Sequence, residues 1–366
     1  MRAPASVGQR LEEVDTPALV VELDAFERNV ATMAATVKAS GLRLRPHAKT
    51  HKCSEIARRQ VAAGAVGICC QKVSEAEAMV AGGIEDVLVS NEVVGAQKVE
   101  RLAALSQRAR LGVCVDDFEN LKAIAAAGAK VDIYVEIDVG MGRCGVAPGA
   151  AAVALAEEAA RHRGLRFAGL QAYQGRAQHM RSVDERREAI AQAACQVTAT
   201  EELLNKAGIE CPRVTGAGSG TFALEAETKL WNELQPGSYI FMDADYAKNE
   251  WAAPLPRFEH ALFVLSTVMS RPTAERAMLD AGLKASSVDS GMPTLWQRPG
   301  WSYAAASDEH GRVELAAGAP APRLGEKVLL VPGHCDPTVN LYDWYVCVRK
   351  GRVEALWRVD ARGAVY

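Results

Sequence analysis

The sequence predicts a parallel (β/α)8 barrel followed by an antiparallel β domain, and two observations lead to this fold class. Eight short apolar, β-branched runs alternate with Ala-rich amphipathic stretches, as expected when each barrel strand is followed by a helix. After about Trp251 the segments become short, β-rich and separated by turn residues. We therefore expect a barrel over residues 20–250 and a β domain over residues 251–366. The pattern alone leaves a doubly wound sheet open.

The eight predicted barrel strands share a short length and a high content of branched apolar residues. Several of the helical stretches between them end in Gly, which commonly terminates a helix. In order, the strands are "LRLRPHA", "AVGICCQ", "DVLVSNE", "LGVCVDD", "VDIYVEIDVG", "LRFAGLQAY", "CPRVTGAG" and "GSYIFMD".

The β domain is indicated by its turns and by a strand left over at the N-terminus. "EHGRV" and "KGRV" have the composition of hairpin turns between β-rich runs. The segment "TPALVVELD" precedes the first helix, and the barrel already has eight strands without it. We therefore expect the N-terminal segment, residues 1–19, to pack with the β domain.

Composition excludes several classes of protein. The 366 residues carry a net charge of -3 with no block of like charge, so neither nucleic acid nor an anionic membrane is an expected partner. The longest apolar runs, such as "ALFVLSTVM", are too short to span a bilayer, and the N-terminus lacks the apolar region of a signal peptide. The nine cysteines are scattered without paired spacing, which predicts a cytoplasmic protein with reduced thiols.

Candidate functional residues follow from the rule that barrel enzymes work at the C-terminal ends of their strands. The stretch "RLRPHAKTHK" ends the first barrel strand with Lys49, flanked by His47 and His51. Arg43 and Arg45 alternate with an apolar residue and receive no role. The same rule selects, at later strands, Gln71, Asn91, Arg143, Tyr173, the turn "GAGSGT" (216–221) and Tyr239.

The turn "GAGSGT" follows the seventh predicted strand, where barrels of this kind often bind phosphate. Its backbone N–H groups and hydroxyls could hold a phosphate at a helix N-terminus, although a tight structural turn is an equal reading. A lysine across the same barrel mouth favours pyridoxal phosphate, whose aldehyde needs an amine. Neighbouring cations are expected to lower the pKa of Lys49. A barrel that binds some other phosphate remains the alternative.

A second signal is the stretch "VPGHCDPTVN". In an extended segment His334 and Asp336 point to one side and Cys335 to the other, and Pro337 favours an extended Asp336. One imidazole and one carboxylate suit Mn²⁺ or Mg²⁺. Zinc would be favoured if Cys335 were a ligand. A strand-end turn without a metal is the structural alternative.

These motifs together resemble the D-threonine aldolases and the closely related 3-hydroxy-D-aspartate aldolases. The wider group includes D-serine dehydratase and has the alanine racemase-like fold of the fold-type III pyridoxal phosphate enzymes. The resemblance runs from about Asp15 to the C-terminus. It is carried by "TPALVVELDAFERNV", "RPHAKTHK", "GICCQKVSEAEAMVAGGI", "SNEVVG", "DVGMGRCGV", "GLQAYQG", "GSYIFMDADY", "DAGLK" and "PGHCDPTVNLYD".

The resemblance implies specific roles for the candidate residues. Lys49 would carry the cofactor, Arg143 would contact the pyridine nitrogen, and Gln71 and Tyr173 would line the cofactor. His179 or His51 would be the catalytic base. The phosphate ligands implied are Ser219, Gly220, Thr221, Ser238 and Tyr239. The ligands implied for Mn²⁺ or Mg²⁺ are His334 and Asp336. A homodimer is also implied, in which the β domain of one subunit closes the barrel mouth of the other.

The reaction that the resemblance implies is cleavage of a D-3-hydroxy amino acid, such as D-threonine, to glycine and an aldehyde, acetaldehyde in that case. A 3-hydroxy-D-aspartate aldolase, which gives glycine and glyoxylate, is the alternative. D-Serine or D-3-hydroxyaspartate dehydration and racemisation are further alternatives on the same scaffold. The dehydratases have Cys where this chain has Asp336, which argues against dehydration. A non-catalytic pyridoxal phosphate carrier would lack the C-terminal β domain.

Overall fold

A computed structural model describes residues 2–366, which form seventeen strands and nine α-helices. The strands are β1 (Ala18–Glu22), β2 (Arg43–Leu44), β3 (Ile68–Cys70), β4 (Asp86–Glu92), β5 (Arg110–Val115), β6 (Val131–Glu136), β7 (Leu165–Ala172), β8 (Val214–Gly216), β9 (Glu233–Leu234), β10 (Leu262–Thr273), β11 (Arg276–Leu279), β12 (Thr294–Leu295), β13 (Trp301–Ala306), β14 (Gly311–Leu315), β15 (Lys327–Val331), β16 (Trp344–Arg349) and β17 (Arg352–Arg358). The helices are α1 (Leu23–Ala39), α2 (Ser54–Ala62), α3 (Val73–Ala81), α4 (Ala96–Leu105), α5 (Phe118–Ala126), α6 (Ala150–Arg161), α7 (Val183–Lys206), α8 (Phe222–Thr228) and α9 (Cys335–Val339).

Strands β2 to β9 form a parallel sheet in the order β2-β9-β8-β7-β6-β5-β4-β3. The two ends of this sheet meet through a parallel bridge between His47 and Cys69, where the Cys69 N–H donates to the Pro46 carbonyl at 2.8 Å. Because the outer strands meet, the sheet curves into a barrel, with helix α1 before β2 and one helix, α2 to α8, between each pair of successive strands. The predicted fold class is confirmed.

Side chains at the helix N-termini explain where several barrel helices begin. Asp117 accepts hydrogen bonds from the N–H groups of Glu119 and Asn120 at the start of α5. Ser182 and Glu185 form a reciprocal capping box at the start of α7. Such caps satisfy N–H groups that have no partner inside the helix. The helices can therefore begin at once after the loops that carry the candidate site.

The first and last barrel strands are only two residues long, and a buried ion-pair network joins them. The Glu233 carboxylate of β9 accepts from Arg43 Nε at 3.0 Å and from Arg45 Nε at 2.8 Å. Arg45 also pairs with Asp86 of β4 at 2.7 Å. Burial would raise the pKa of Glu233, but the two arginines hold it below its usual range. Arg43 and Arg45, which received no role from the sequence, therefore close the barrel.

The second sheet has nine strands, and β1 lies in its middle. Strand β1 pairs antiparallel with β10 and parallel with β16. The hairpins predicted from "EHGRV" and "KGRV" are confirmed as β13–β14 and β16–β17. At the second, Lys350 and Gly351 both have positive φ, 48° and 73°, as a type I′ turn requires. The N-terminal strand thus belongs to the same sheet as the last strand of the chain.

The predicted eighth barrel strand, "GSYIFMD", is wrong. The strand is Glu233–Leu234, and Ser238–Ile240 form a 3₁₀ turn after it, so Tyr239 lies outside the sheet. Between them, at Gly237, any Cβ would lie 2.5 Å from Thr50 Oγ1, which leaves no room for a side chain where this segment passes the first strand. The apolar run is buried without being a strand, because an apolar run alone indicates burial rather than the type of element.

No helix within residues 2–366 combines the length and the apolar character needed to cross a bilayer.

We expect Glu233→Gln to lower the free energy of unfolding by about 3–5 kcal/mol, because it leaves Arg45 buried beside a neutral side chain. The matched control is Glu259→Gln, which removes an ion pair to Arg28 whose two side chains are 57% and 52% exposed, and this pair should contribute little. Urea unfolding followed by circular dichroism measures both. Equal midpoints for the two variants would contradict the role of Glu233.

Candidate active site

One cleft opens at the C-terminal ends of the barrel strands, where the sequence predicted the site. Side chains and backbone from most of the strand ends line it. Of the predicted site residues, those that line the cleft are Lys49, Gln71, Arg143, Tyr173, Ser219 and Ser238. The structure therefore brings together residues that are up to 189 positions apart, from Lys49 to Ser238.

Lys49 lies in a 3₁₀ turn, Ala48–Thr50, that follows β2 rather than in the strand itself. The His47 ring begins this turn, because its Nδ1 accepts from the Lys49 N–H at 3.3 Å and its Nε2 faces Ser90 Oγ at 3.0 Å. The Lys49 Nζ is 3.9 Å from Asp336 Oδ2. Burial would lower the pKa of Lys49, but Asp336 and Tyr173 outweigh it and the pKa is raised. The prediction that neighbouring cations lower the pKa of Lys49 is therefore wrong for the chain without bound ligands.

The turn "GAGSGT" after β8 fits a phosphate. The N–H groups of Gly218, Ser219 and Ser238 donate to no acceptor within residues 2–366, and all three residues line the cleft. At Gly218 any Cβ would lie 2.4 Å from the end of the Gln178 side chain, which would have to move from the turn that it supports through the Gly220 N–H. Unsatisfied N–H groups that converge in a Gly-rich turn are the usual form of an anion site.

Three of the predicted phosphate ligands are engaged elsewhere. The Gly220 N–H donates to Gln178 Oε1 at 2.9 Å, and the Thr221 hydroxyl donates to Glu225 Oε1 at 2.8 Å. The Tyr239 N–H donates to Ser219 Oγ at 2.9 Å, and its buried hydroxyl accepts from Gln60. These residues line the back of the turn rather than the cleft, and they hold its shape.

Arg143 and Tyr173 lie side by side in the cleft. The Arg143 guanidinium carbon is 5.8 Å from the centre of the Tyr173 ring. Within residues 2–366 this guanidinium has no carboxylate within 4.0 Å, so its donors are available to a ligand. The Gln71 Oε1 atom is likewise buried without a hydrogen-bond donor. Both features fit a bound heteroaromatic group with hydrogen-bonding atoms.

Asp336 reaches this cleft, since its Oδ2 lies 3.9 Å from Lys49 Nζ, and His334 lies two residues before it, but the segment is not extended throughout as predicted. His334 is extended, with φ -144° and ψ 124°, and Asp336 lies in the first turn of α9. The helix begins here because Pro337 is in its first turn, where a missing N–H costs nothing. The Cys335 side chain is fully buried, and burial raises the pKa of its thiol well above the ordinary value. The Cys335 Sγ atom lies 3.4 Å from Asp336 Oδ1, so the buried thiol contacts that carboxylate rather than pointing to the opposite side.

The His334 ring is held by a carboxylate. Its Nδ1 lies 2.8 Å from Asp289 Oδ2, and Asp289 in turn accepts from Ser287 Oγ at 2.7 Å. Burial would lower the pKa of His334, but Asp336 and Asp289 raise it. A carboxylate on one ring nitrogen leaves the other free to bind a cation, which is the usual arrangement around a metal-bound histidine.

The two candidate bases differ in their surroundings. His179 Nδ1 is 2.8 Å from Asp245 Oδ2, and its side chain is 55% exposed. His51 is fully buried, its Nδ1 accepts from the Cys53 N–H at 3.1 Å, and burial lowers its pKa to about 3. Of these two histidines, only His179 has both a ring that a carboxylate holds in place and a ring nitrogen that solvent or substrate can reach.

The sequence did not reveal three side chains that orient this site. His47 was noted only as a neighbour of Lys49, although it begins the turn that carries the lysine. Asp245 lies in the quoted motif "GSYIFMDADY" and could have been found there. Asp289 is 45 residues from His334, and no spacing rule connects them.

Comparisons with known proteins agree with this geometry. Residues 21–245 match the family model "Alanine racemase, N-terminal domain", and residues 261–348 match "Putative serine dehydratase domain". The D-threonine aldolase of Arthrobacter sp is 50% identical over 98% of this chain and 96% of its own. The 3-hydroxy-D-aspartate aldolase of Paracoccus denitrificans (strain Pd 1222) is 46% identical over 99% and 96%. The crystal structure of the D-threonine aldolase from Filomicrobium marinum, 53% identical, matches with a TM-score of 0.97 over 100% of both chains.

Proposed function

Because this chain belongs to the family that contains D-threonine aldolase and 3-hydroxy-D-aspartate aldolase, we propose that it cleaves D-3-hydroxy amino acids, with D-threonine giving glycine and acetaldehyde. The observation that carries this proposal is the distance of 3.9 Å between Lys49 Nζ and Asp336 Oδ2. The amine that would hold the cofactor and a carboxylate that would hold a cation thus share one cleft. A substrate there could contact both.

The cofactor is pyridoxal phosphate, which the match to the alanine racemase family supports. When bound, it supplies an electron sink for the electron pair left by the broken Cα–Cβ bond. Lys49 would bond to its aldehyde, Arg143 would donate to its pyridine nitrogen, and Gln71 and Tyr173 would contact its ring. The N–H groups of Gly218, Ser219 and Ser238 would bind its phosphate, while Gly220, Thr221 and Tyr239 keep the turn in shape.

His334 and Asp336 would hold a divalent cation. An imidazole nitrogen and a carboxylate oxygen suit Mn²⁺ or Mg²⁺ better than zinc, and the thiol of Cys335 is fully buried. A cation there would supply Lewis acidity toward a substrate hydroxyl. Asp289 holds the His334 ring, so the imidazole is oriented before any ligand binds.

We propose His179 as the base that takes the proton of the β-hydroxyl. In the neutral ring a carboxylate at Nδ1 favours the tautomer with the proton on that nitrogen, which leaves the lone pair on Nε2. Asp245 is itself fixed by Arg181, whose Nη2 lies 2.6 Å from Oδ1. Burial would raise the pKa of Asp245, but Arg181 and His179 hold it below its ordinary value. His51 would be structural, since it is neutral and buried.

A 3-hydroxy-D-aspartate substrate is the second candidate, and one arginine favours it. Arg176 and His179 are three residues apart in the 3₁₀ turn Arg176–His179, so their side chains lie on one face. Arg176 is exposed and forms no ion pair within residues 2–366. Arg271, in contrast, donates to the Pro322 carbonyl in the second sheet. A carboxylate on the substrate could therefore pair with Arg176.

The proposal extends to assembly and location. We propose a homodimer, in which the second sheet of one subunit covers the cleft of the other, and a cytoplasmic protein. All nine cysteines are free, which suits a reducing compartment.

The reaction is tested by assaying products from D-threonine, D-3-hydroxyaspartate, D-phenylserine and D-serine, with and without Mn²⁺. We expect glycine and an aldehyde from the first three and little product from D-serine. Lys49→Ala should lose both activity and the visible absorbance of the bound cofactor. A 2-oxo acid as the main product would show that the enzyme dehydrates its substrate instead of cleaving it.

The metal site is tested by comparing two neighbouring substitutions. Asp336→Ala should lose activity as chelated enzyme does, because it removes a hard ligand, while Cys335→Ser should stay active, because a serine hydroxyl can replace the buried thiol beside Asp336. Both should keep the visible absorbance, since Lys49 and the phosphate turn are intact. Inductively coupled plasma mass spectrometry gives the bound metal. Metal loss in the Cys335 variant alone would reverse the assignment.

The base is tested with His179→Asn, which should lower kcat by about 10²–10⁴ while the cofactor absorbance stays unchanged. Asp245→Asn should lower kcat less, because the ring loses only the carboxylate that holds it. A kcat of the His179 variant equal to that of the unmodified enzyme would remove His179 from the reaction.

A further inference from the structure

Three acidic side chains occupy the C-terminal ends of three adjacent barrel strands, and the proposed reaction uses none of them. Glu92 ends β4, Asp116 directly follows β5, and Glu136 ends β6. A thiol, Cys144, joins them from the loop after β6, next to Arg143. Because these strands are neighbours in the barrel, their ends converge at one point of the rim.

The ligand atoms of this group are close together. One carboxylate oxygen each from Glu92 and Asp116 and the sulfur of Cys144 all lie within 4.8 Å of one another. Asp116 uses its Oδ2 to accept from the Gly145 N–H at 3.0 Å, and its Oδ1 accepts no hydrogen bond within residues 2–366. Three potential ligands therefore surround one point, and each has an atom available to bind a cation.

A second observation comes from burial. The Glu136 side chain is only 6% exposed and receives no hydrogen bond from a donor outside the group. The Glu92 Oε1 atom is buried without any hydrogen bond. Buried carboxylates without donors are costly unless a proton or a cation neutralises them.

We propose that Glu92, Asp116 and Cys144 form a second divalent-cation site, separate from His334 and Asp336, of the kind that Zn²⁺ occupies. Two oxygens and one sulfur suit this borderline-soft ion, with water as a fourth ligand. Glu136 adds negative charge beside it. On binding, the thiol of Cys144 gives its proton to solvent and the sulfur bonds to the ion as thiolate. This proposal does not depend on the proposed reaction.

The position of this site gives it a structural consequence. Cys144 directly follows Arg143, whose guanidinium faces the cleft. A cation bound to Cys144, Glu92 and Asp116 would tie the turn that carries this arginine to the ends of β4 and β5. The loop, which the Gly145 N–H already joins to Asp116, would then be held to β4 and β5 as well as to β6.

The first test counts zinc in the cofactor-loaded enzyme after equilibrium dialysis against Zn²⁺, by inductively coupled plasma mass spectrometry. His334→Ala removes the other candidate site, and Glu92→Gln, which preserves shape, removes one proposed ligand. We expect Glu92→Gln to bind one zinc fewer per chain in both backgrounds. Asp116→Asn, which keeps an oxygen for the Gly145 N–H, should do the same. Unchanged zinc in both variants, with circular dichroism unchanged, would overturn the proposal.

The second test follows the thiol. Alkylation of Cys144 by iodoacetamide, measured by peptide mass spectrometry, should slow at least about tenfold when Zn²⁺ is added, because a metal-bound thiolate is masked. Cys195, an exposed thiol on α7, is the control, and its rate should not change. Equal rates at Cys144 with and without Zn²⁺ would mean that the group holds a proton instead of a cation.

Discussion

The buried carboxylate of Glu233 is the constraint on which the barrel depends. Strands of two residues cannot form a stable edge by backbone pairing alone, and both strands at this seam are that short. One fully buried carboxylate accepts from Arg43 and Arg45 and so ties the first strand to the last. Lys49 follows Arg45 by four residues. The position of the lysine in the cleft is therefore set by an ion pair that lies deeper in the barrel.

A second constraint joins the two halves of the site. Asp243 accepts from the Cys335 N–H at 3.1 Å, and two residues later Asp245 holds His179. The Asp245 N–H donates to the Gly333 carbonyl at 3.2 Å, just before His334. One short segment thus fixes the distance between the proposed base and the proposed cation ligands. A change in its backbone would move both together.

The sequence predicted the barrel, the second sheet and the residues that line the cleft, because these follow from alternation and from the position of polar residues at strand ends. It misplaced Tyr239, since an apolar run indicates burial and not pairing. It misjudged the segment of Asp336, because Pro337 starts a helix as readily as it ends one. Asp289 could not be found, since it contacts His334 only through the folded chain. The raised pKa of Lys49 could not be predicted either, because it depends on Asp336, which comes close to Lys49 only in the folded chain.

The central place of β1 in the second sheet bears on how the chain is synthesised and assembled. Residues 18–22 leave the ribosome first, yet one of their two partner strands, β16, is made almost last. The other partner, β10, also follows the barrel, so the N-terminal strand must wait unpaired on both edges while the whole barrel is completed. A fragment that begins at residue 251 would lack its middle strand. The two sheets are distinct in architecture, but the chain has no point at which it could be cut into two self-sufficient pieces.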